Sequence, residues 1–484
     1  MKPMDRACGR IGGGKAMRRW LAVVAVVGLV AAACSSGSSS PGELSPSSAR
    51  SLTPAACSTK GLEAGSASAG PSGEQPVTIQ LWSFYSGGEF KKYCEVLQDF
   101  HQQYPWISIQ HTGGKSDQDI YRAVNSGTAP DMMITPGPDN VAKFCSGDTY
   151  ADLASYLQAD NIDLSTIIPD AALRYSSYNG DQCSLPVLSD AYGLYYNKDM
   201  FEKAGITDPP KTLSELQEDA KKLTVLNPDG SIKVAGFVPL QGFYESYALY
   251  MGPYSGGTWY DESGKSAFAS DPTWASLLQW QQQFITDVYG PDGYHKLQEF
   301  FSKLGGADSE WSSAHGFETE QLAMTMDGEW RNAFISDDGS DVNYATAPFP
   351  VVDDRSDLYG AGLIGGDVVG IPSNAQNAAA AWLLLKYLAL DTGAEVKLST
   401  ILKNVPTTFE SLKDPGLNND EHFKTFLGIF GNEHSGFKPL TPIGSTDADL
   451  WSSFVDKWEA GGVPDLQAGL QALADQIDNQ QQLG

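Results

Sequence analysis

Residues 185–216 read LPVLSDAYGLYYNKDMFEKAGITDPPKTLSEL and contain the most specific pattern in this sequence. The stretch begins with a short apolar run, which is typical of a buried strand. It ends at a helix start, with Thr212 in the N-cap position and Glu215 three residues later, as in a capping box. This pattern predicts a helix that runs to about Leu223.

The segment upstream of this stretch alternates strands and helices. Residues 77–84 (VTIQLWSF) and 107–110 (ISIQ) alternate apolar and polar side chains, as strands do. Between them, Phe90, Tyr93, Val96, Leu97 and Phe100 have helical spacing, and a third strand, residues 132–134, follows a second helix. The order predicts an α/β fold with a parallel sheet, in which ligands bind beyond the carboxyl ends of the strands.

Composition limits the possible partners. The chain has 484 residues and a formal charge of −27, with 32 Lys+Arg against 59 Asp+Glu. A length about three times that of a common domain predicts at least two lobes. The acid excess argues against nucleic acid or an anionic membrane surface as partner, because such binders need clustered basic residues.

The first 33 residues have the form of an export signal. A basic head that includes Arg18 and Arg19 precedes an apolar run too short to span a bilayer. The sequence VAAAC that ends at Cys34 resembles the lipobox of bacterial lipoproteins, which implies a lipid anchor on Cys34. Residues 34–76 are rich in Ser, Gly, Pro and Ala, which predicts a flexible tether. The export route, Sec or twin-arginine, and the start codon, Met1 or Met17, stay open.

Four patterns resemble the family 1 extracellular solute-binding proteins of ABC importers, the group that includes maltose-binding protein. They are residues 127–132 (GTAPDM), the stretch quoted above, residues 317–330 (FETEQLAMTMDGEW), and residues 365–372 with the Ala-rich helix through Trp382. The third pattern has Glu320 where glycine is common in the family. The resemblance covers residues 77–477.

The resemblance implies two α/β lobes joined by hinge crossings, with a ligand cleft between them. We expect lobe one at 77–187 and 346–402, lobe two at 192–340 and 407–484, and crossings at 188–191, 341–345 and 403–406. It also implies a monomeric sugar-binding lipoprotein on the extracellular face of the cell membrane, which delivers its ligand to permease subunits.

Candidate ligand-binding residues follow predicted strands or match binding positions of the family. Aromatic rings stack on sugar faces, whereas carboxylates and amides bind hydroxyl groups. Asp190, at a crossing, matches a sugar-binding carboxylate of the family, and Trp451 matches a stacking tryptophan. Asp139 is either a ligand-binding carboxylate or a helix N-cap. The full set is Trp82, Ser83, Asp139, Asn140, Asp190, Tyr244, Glu245, Trp259, Trp330, Arg331, Gly366, Asp367 and Trp451.

The cysteines that remain after the leader and Cys34 are expected to form two disulfides, because the chain is exported. Cys57, Cys94, Cys145 and Cys183 allow three pairings, of which we favour Cys145 with Cys183, since both flank a segment of one lobe.

Rival functions remain open at this stage. The sequence contains neither a zinc-binding nor a nucleophile-elbow motif, and we expect no cofactor, metal or enzymatic activity. A binder of glycerophosphodiesters, peptides or another small solute is the main alternative to a sugar binder. An exported glycosidase and a lipoprotein sensor or scaffold are the others.

Overall fold

The computed structural model describes residue 57, residue 62 and residues 65–482. Its strands are β1 (Val77–Ser83), β2 (Ile107–Thr112), β3 (Met132–Thr135), β4 (Ser184–Asn197), β5 (Val225–Leu226), β6 (Ile232–Val234), β7 (Met324–Gly328), β8 (Tyr344–Ala347), β9 (Ile364–Gly370) and β10 (Val405–Pro406).

The α-helices lie between these strands and after β10. They are α1 (Gly87–Gln103), α2 (Asp117–Ser126), α3 (Val141–Ser146), α4 (Ala154–Ala159), α5 (Asp170–Tyr175), α6 (Lys198–Ala204), α7 (Leu213–Leu223), α8 (Ala248–Met251), α9 (Pro272–Tyr289), α10 (Gly293–Leu304), α11 (Arg331–Asp337), α12 (Ala378–Leu390), α13 (Thr392–Leu402), α14 (Glu421–Phe430), α15 (Thr446–Glu459) and α16 (Leu466–Gln481). Within the described ranges, no helix is long and apolar enough to cross a membrane.

The first three strands form the predicted parallel arrangement. β1 lies between β2 and β3 and pairs with both in parallel, so the series of strands and helices that the sequence predicted is confirmed. β9 then joins β3 in the antiparallel direction and leads to β4 and β10. The carboxyl ends of β1, β2 and β3 therefore meet along one edge of the sheet.

The long strand β4 belongs to two parts of the sheet. Its first half pairs with β9 and β10, whereas residues 192–197 pair with β7 and β8. A strand of 14 residues spans roughly 45 Å at about 3.3 Å per residue, which is enough to cross from one core to another. The quoted stretch around Asp190 lies in this strand, next to the point where its partners change.

Two hydrophobic cores lie on either side of the crossing. The first is built on β1, β2, β3 and α12, where Leu384, Leu385 and Leu388 are fully buried. The second is built on α7, α9, α15 and α16 around Trp274 and Trp451. The predicted helix start at Thr212 is confirmed, because its side chain accepts a hydrogen bond from the Glu215 amide.

Residues near the expected lobe boundaries pack in both cores. β4 lies between β7 and β8, and Phe349 and Val351 pack in the second core, whereas Val342 packs in the first. Phe423 and Phe426 of α14 also pack in the first core, within the range 407–484 that was expected in lobe two. Apolar spacing predicts that these side chains are buried, but it does not identify the core that buries them.

The cysteines pair as Cys57–Cys94 and Cys145–Cys183, so the favoured pair is confirmed. The first disulfide joins the segment before β1 to α1, and Leu62 packs in the first core at 2% exposure. Residues 57 and 62 of the expected tether, 34–76, are therefore held against the first core. The predicted leader, the anchor Cys34 and the other tether residues before residue 65 lie outside the described residues.

Candidate ligand-binding cleft

A cavity of about 420 Å³ lies beside the crossing strand β4. Its wall includes the loops that follow β1, β2 and β3, at the sheet edge where the sequence predicted a ligand. Segments of the second core complete it, among them the loop after β6 and the start of α15. The aromatic residues of the lining are Phe84, Tyr85, Tyr192, Tyr247, Tyr250, Trp259, Trp311 and Trp330.

Acidic residues dominate the charged part of the lining. They are Glu89, Asp117, Asp119, Asp139, Asp190, Glu245, Asp367 and Asp449, and the lysines beside them are Lys115 and Lys438. A cavity of this size, with apolar rings and a few polar groups, has the form of a small-molecule site.

The structure places the candidate residues in two groups. Those that line the cavity are Asp139, Asn140, Asp190, Glu245, Trp259, Trp330, Gly366 and Asp367. Those that lie outside its lining are Trp82, Ser83, Tyr244, Arg331 and Trp451.

Asp190 lines the cavity from strand β4. Its Oδ1 accepts a hydrogen bond of 2.8 Å from Nδ2 of Asn404, and the same nitrogen donates to Oε1 of Glu329 at 3.1 Å. Glu329 also accepts from the Ala191 amide at 2.8 Å. Burial, followed by the charge of Glu89, raises the pKa of Asp190 to about 7. Burial and the charge of Asp190 raise the pKa of Glu329 well above its usual value.

Glu245 approaches the cavity from the loop that follows residue 240. It is 7% exposed, and burial and the nearby charges of Glu310 and Asp327 raise its pKa well above the usual range. Tyr247 and Tyr250 lie beside it in the lining, with their rings perpendicular at 5.0 Å. Glu245 thus presents a carboxyl group among aromatic rings.

Three of the lining rings meet around Tyr192. Its ring contacts Tyr250 and Trp330 edge to face, with centroids 5.0 and 5.4 Å apart. Trp311 lies nearly parallel to Trp330, with centroids 6.3 Å apart. Edge-to-face contacts fix the orientation of the rings, so that their remaining faces are preorganised for an apolar ligand surface.

Gly366 and Asp367 bring the backbone of β9 to the cavity. Gly366 has a φ of 143°, and a Cβ there would lie 2.2 Å from the carbonyl oxygen of Leu188. Only glycine tolerates this backbone and this approach. Asp367 is buried and accepts a hydrogen bond from the hydroxyl group of Tyr85.

Asp139 is held by an ion pair. Nζ of Lys438 lies 3.2 Å from Asp139 and 2.6 Å from Asp447, the second residue of α15. Asp139 does not cap α3, since the N-cap residue is Asn140, which makes no capping bond with its side chain. Asn140 instead donates to Asp117 at 2.5 Å. Lys438 therefore joins a loop of the first sheet to a helix of the second core.

Trp82 and Ser83, two of the candidate residues, lie outside the lining of the cavity. Ser83 is fully buried, and its hydroxyl group lies 2.7 Å from Nε2 of His111. Trp82 is half-buried beneath the ammonium group of Lys115, 4.1 Å from the ring centroid. The residues that line the cavity are the next two along the chain, Phe84 and Tyr85.

Tyr244 and Arg331 belong to the interior of the second lobe. Tyr244 has a φ of 49°, and its ring stacks on His315 at 4.1 Å, so it lies outside the lining while Glu245 lies within it. Arg331 is fully buried and forms ion pairs with Asp327 at 2.7 Å and Glu318 at 3.1 Å. A buried cation needs such partners, and they occupy its donors.

Trp451 packs in the second core. It has no exposed surface, and its ring lies 4.7 Å from Phe268 and 5.1 Å from Trp274. The face of α15 that lines the cavity carries Ala448, Asp449 and Ser452 instead. Trp259 contacts Trp274 at 5.1 Å as well, but it also lines the cavity.

Sequence reasoning missed several lining residues. Tyr192 had a usable signal, because it lies two residues after Asp190 in the same strand and alternate residues share a face. Asn404 lies in a predicted crossing, but nothing in the local sequence distinguished it. Lys438 had no local signal, since its two partners are 299 and 9 residues away in the chain.

A second polar cluster lies near the N-terminal disulfide. Cys57, Cys94 and His111 place sulfur and nitrogen atoms within 4.8 Å of one another. Both sulfur atoms belong to the disulfide, which leaves no thiolate to bind a metal. Burial lowers the pKa of His111 to about 3, so its ring is neutral at physiological pH.

Comparison with known proteins identifies the fold. Residues 87–395 match the family model described as bacterial extracellular solute-binding protein. A putative binding protein of Brucella abortus is 24% identical over 410 residues, which are 82% of this chain and 92% of that protein.

A solved structure, CpMnBP1 with mannotriose bound, aligns with a TM-score of 0.73 and 21% identity, over 82% of this chain and 99% of that one. This similarity shows the two-lobed fold. A shorter segment of 63 residues, 13% of this chain and 15% of the other, is 44% identical to the sn-glycerol-3-phosphate-binding periplasmic protein of Rhizobium meliloti.

Proposed function

This chain belongs to the bacterial extracellular solute-binding protein family, and from that premise we propose that it captures a sugar or an oligosaccharide between its lobes for an ABC importer. The cavity beside β4 is the binding site in this proposal. The ligand is released unchanged to the permease subunits, so the protein is a binding protein and not an enzyme.

The observation that carries the proposal is the combination of rings and carboxyl groups in one cavity. Tyr192, Trp330 and Trp311 supply apolar faces for sugar rings, and Asp190 supplies acceptors for hydroxyl groups. This pairing of flat apolar surface with directed acceptors matches the two apolar faces and polar equator of a sugar. The mannotriose bound to the structurally similar protein supports the same ligand class.

The binding residues in this proposal come from both sides of β4. Asp139, Asn140, Gly366 and Asp367 belong to loops or strands of the first sheet. On the other side, Trp259 belongs to the second core, Glu245 follows Tyr244 of that core, and Trp330 follows β7. A ligand held from both sides stabilises the closed arrangement of the lobes, which is how two-lobed binding proteins couple capture to a change of shape.

A glycerophosphodiester is the second candidate, favoured by the segment shared with the glycerol-3-phosphate-binding protein. The charge of the cavity opposes it. A phosphate group needs Arg or Lys donors, whereas Arg331 is paired with Asp327 and Glu318 outside the lining. Lys438 is held by Asp139 and Asp447.

We place the protein outside the cell and assign it a lipid anchor on Cys34. The extracellular family supports export, and the leader with its VAAAC sequence supports the anchor. In this arrangement one chain acts as a monomer that the lipid keeps near the permease.

A thermal-shift screen tests the function. Purified protein is heated with mannobiose, mannotriose, maltose and tagatose, and with glycerophosphocholine as the phosphate-bearing control. A ligand at a hundred times its dissociation constant stabilises the folded state by about 2.7 kcal/mol. Chromatography of the recovered ligand checks that the sugar is intact. Stabilisation by glycerophosphocholine and by none of a broad set of sugars would refute the proposal.

A further inference from the structure

The buried side chain of Arg331 has three partners in the second lobe. Its Nε donates to Asp327 at 2.7 Å and its Nη1 to Glu318 at 3.1 Å. Its Nη2 donates to the backbone carbonyl oxygen of Glu310 at 2.6 Å. Asp327 belongs to β7, whereas Glu310 and Glu318 belong to the segment between α10 and β7. The guanidinium group of Arg331 therefore ties this segment to β7 at two points.

Two of the residues joined in this way are neighbours of lining residues in the chain. Trp330, which lines the cavity, directly precedes Arg331, and Trp311, which also lines it, directly follows Glu310. The two tryptophan rings lie nearly parallel, with 28° between their planes and 6.3 Å between their centroids. The backbone on which one ring stands thus binds the guanidinium group, and the backbone of the other ring leads directly into it.

The same buried cluster extends to a third lining residue. His315 lies 3.7 Å from Asp327, and the ring of Tyr244 stacks on His315 with centroids 4.1 Å apart. The hydroxyl group of Tyr244 accepts a hydrogen bond from the Gly316 amide at 3.2 Å. The φ of Tyr244, 49°, is uncommon for a residue other than glycine, so these contacts must stabilise it. Glu245, the next residue, lines the cavity.

The geometry of the cluster requires arginine. The three contacts use three different nitrogen atoms of one planar group, whose directions are fixed relative to one another. A lysine in this place keeps the charge, but it offers one nitrogen atom on a flexible chain. It therefore cannot hold the segment between α10 and β7 in a single arrangement relative to β7.

We infer that Arg331 is a positioning residue of the binding site, which sets the placement of Trp311 relative to Trp330 and thereby the affinity for the sugar that stacks on them. Arg331 itself lies outside the lining. The inference rests on the proposed sugar-binding function and adds to it a residue that acts through the rings. Placement matters because a gap of about 0.5–1 Å between apolar surfaces forfeits about a quarter to a half of their attraction.

A double-mutant cycle tests whether Arg331 acts through the rings. Isothermal titration uses mannotriose, or maltose if mannotriose gives no thermal shift. Arg331→Lys should weaken binding at least fivefold in the parent chain. In a chain that already carries Trp311→Ala, the relative placement of the two rings no longer matters, so the same substitution should cost less than twofold. Equal losses in the two backgrounds would overturn the inference.

Controls separate positioning from a general loss of structure. Arg355→Lys is the matched control, because the ion pair of Arg355 with Asp357 is exposed, and it should keep the affinity within twofold. Circular dichroism checks that each variant is folded. Glu318→Gln removes one partner of Arg331 and replaces Arg331→Lys if that variant does not fold, and it should weaken binding at least twofold. A folded, destabilised variant with the affinity of the parent would count against positioning.

Fluorine NMR needs no sugar and so separates this inference from the proposed function. The protein is labelled with 5-fluorotryptophan, and the signals are assigned through Trp311→Phe, Trp330→Phe and Trp458→Phe. Arg331→Lys should shift or broaden the signals of Trp311 and Trp330 and leave that of Trp458, in the second core, unchanged. Unchanged signals of Trp311 and Trp330 would overturn the inference. If the parent binds no sugar, the proposed function fails, while these signals still decide whether Arg331 positions the rings.

Discussion

Asp190 and Glu329 accept hydrogen bonds from the same nitrogen, Nδ2 of Asn404, at 2.8 and 3.1 Å. The two acids come from β4 and from the end of β7, and Asn404 comes from the segment just before β10. One amide group therefore connects three separate parts of the chain at the wall of the cleft. Two carboxyl groups held together in this way make the crossing sensitive to protonation.

Asp190→Asn should change the dependence of stability on pH. The pKa of Asp190 is raised to about 7 in the folded protein, so its ionisation above the unfolded value near 4 penalises the folded state. The penalty grows from about pH 4 to about pH 7 and reaches at most about 4 kcal/mol, because one pKa unit corresponds to about 1.4 kcal/mol. In urea unfolding, the free energy of unfolding of the variant should rise relative to that of the parent between about pH 4 and about pH 7.

The control for this measurement is Glu262→Gln, at an exposed position away from the cleft. Its unfolding free energy should follow that of the parent at each pH. Parallel pH curves for Asp190→Asn and the parent would contradict the assigned ionisation.

Lys438→Met should destabilise the protein by about 3 kcal/mol. The substitution leaves Asp447 buried without its cation, and breaking one side of a buried ion pair is costly. Asp447→Asn in the same chain should recover most of the loss. Lys413→Met is the matched control, because its pair with Glu410 is about 70% exposed and contributes within about 0.5 kcal/mol. Equal effects at both lysines in denaturant unfolding would argue against the buried pair.

Glu395→Gln should weaken the attachment of β10. The carboxyl group of Glu395 is fully buried and accepts from the backbone and hydroxyl groups of Thr407 and Thr408. Glutamine keeps the shape but turns an amide donor toward these donors, which should cost about 2–4 kcal/mol. Chemical denaturation measures the loss. Glu410→Gln, which is exposed, should lose almost nothing; a loss as large as that of Glu395→Gln would contradict the assignment.

Sequence predicted the local features of this protein well. The strands and helices between β1 and β3, the capping of α7 by Thr212 and the apolar helix α12 all depend on residues close in the chain, and the structure contains them. The lining of the cleft depends on contacts between distant residues. Lys438 and Asp139 form an ion pair although they are 299 residues apart in the chain, and no local sequence pattern predicts this contact.

The sequence around Trp451 supported two different predictions, burial in a core and stacking on a ligand. Trp451, Phe454, Val455 and Trp458 have the i, i+3, i+4, i+7 spacing of a helix face that packs in a core. The resemblance to a stacking tryptophan favoured the cleft instead. The structure follows the helical spacing, because the apolar face of α15 packs against α9 and α16.

Substitution of Trp451, in the second core, and of Trp330, in the cavity lining, should affect different properties of the protein. Trp451→Phe should lower stability by about 1–3 kcal/mol, since it leaves space beside Phe268 and Trp274, but it should leave the dissociation constant of a sugar within twofold. Trp330→Phe should weaken sugar binding at least fivefold, because the larger ring face in the lining is lost. Thermal unfolding and titration with the same ligand measure both quantities on each variant. If Trp451→Phe loses affinity while Trp330→Phe keeps it, the sugar binds on the face of α15 opposite to the one that carries Ala448, Asp449 and Ser452.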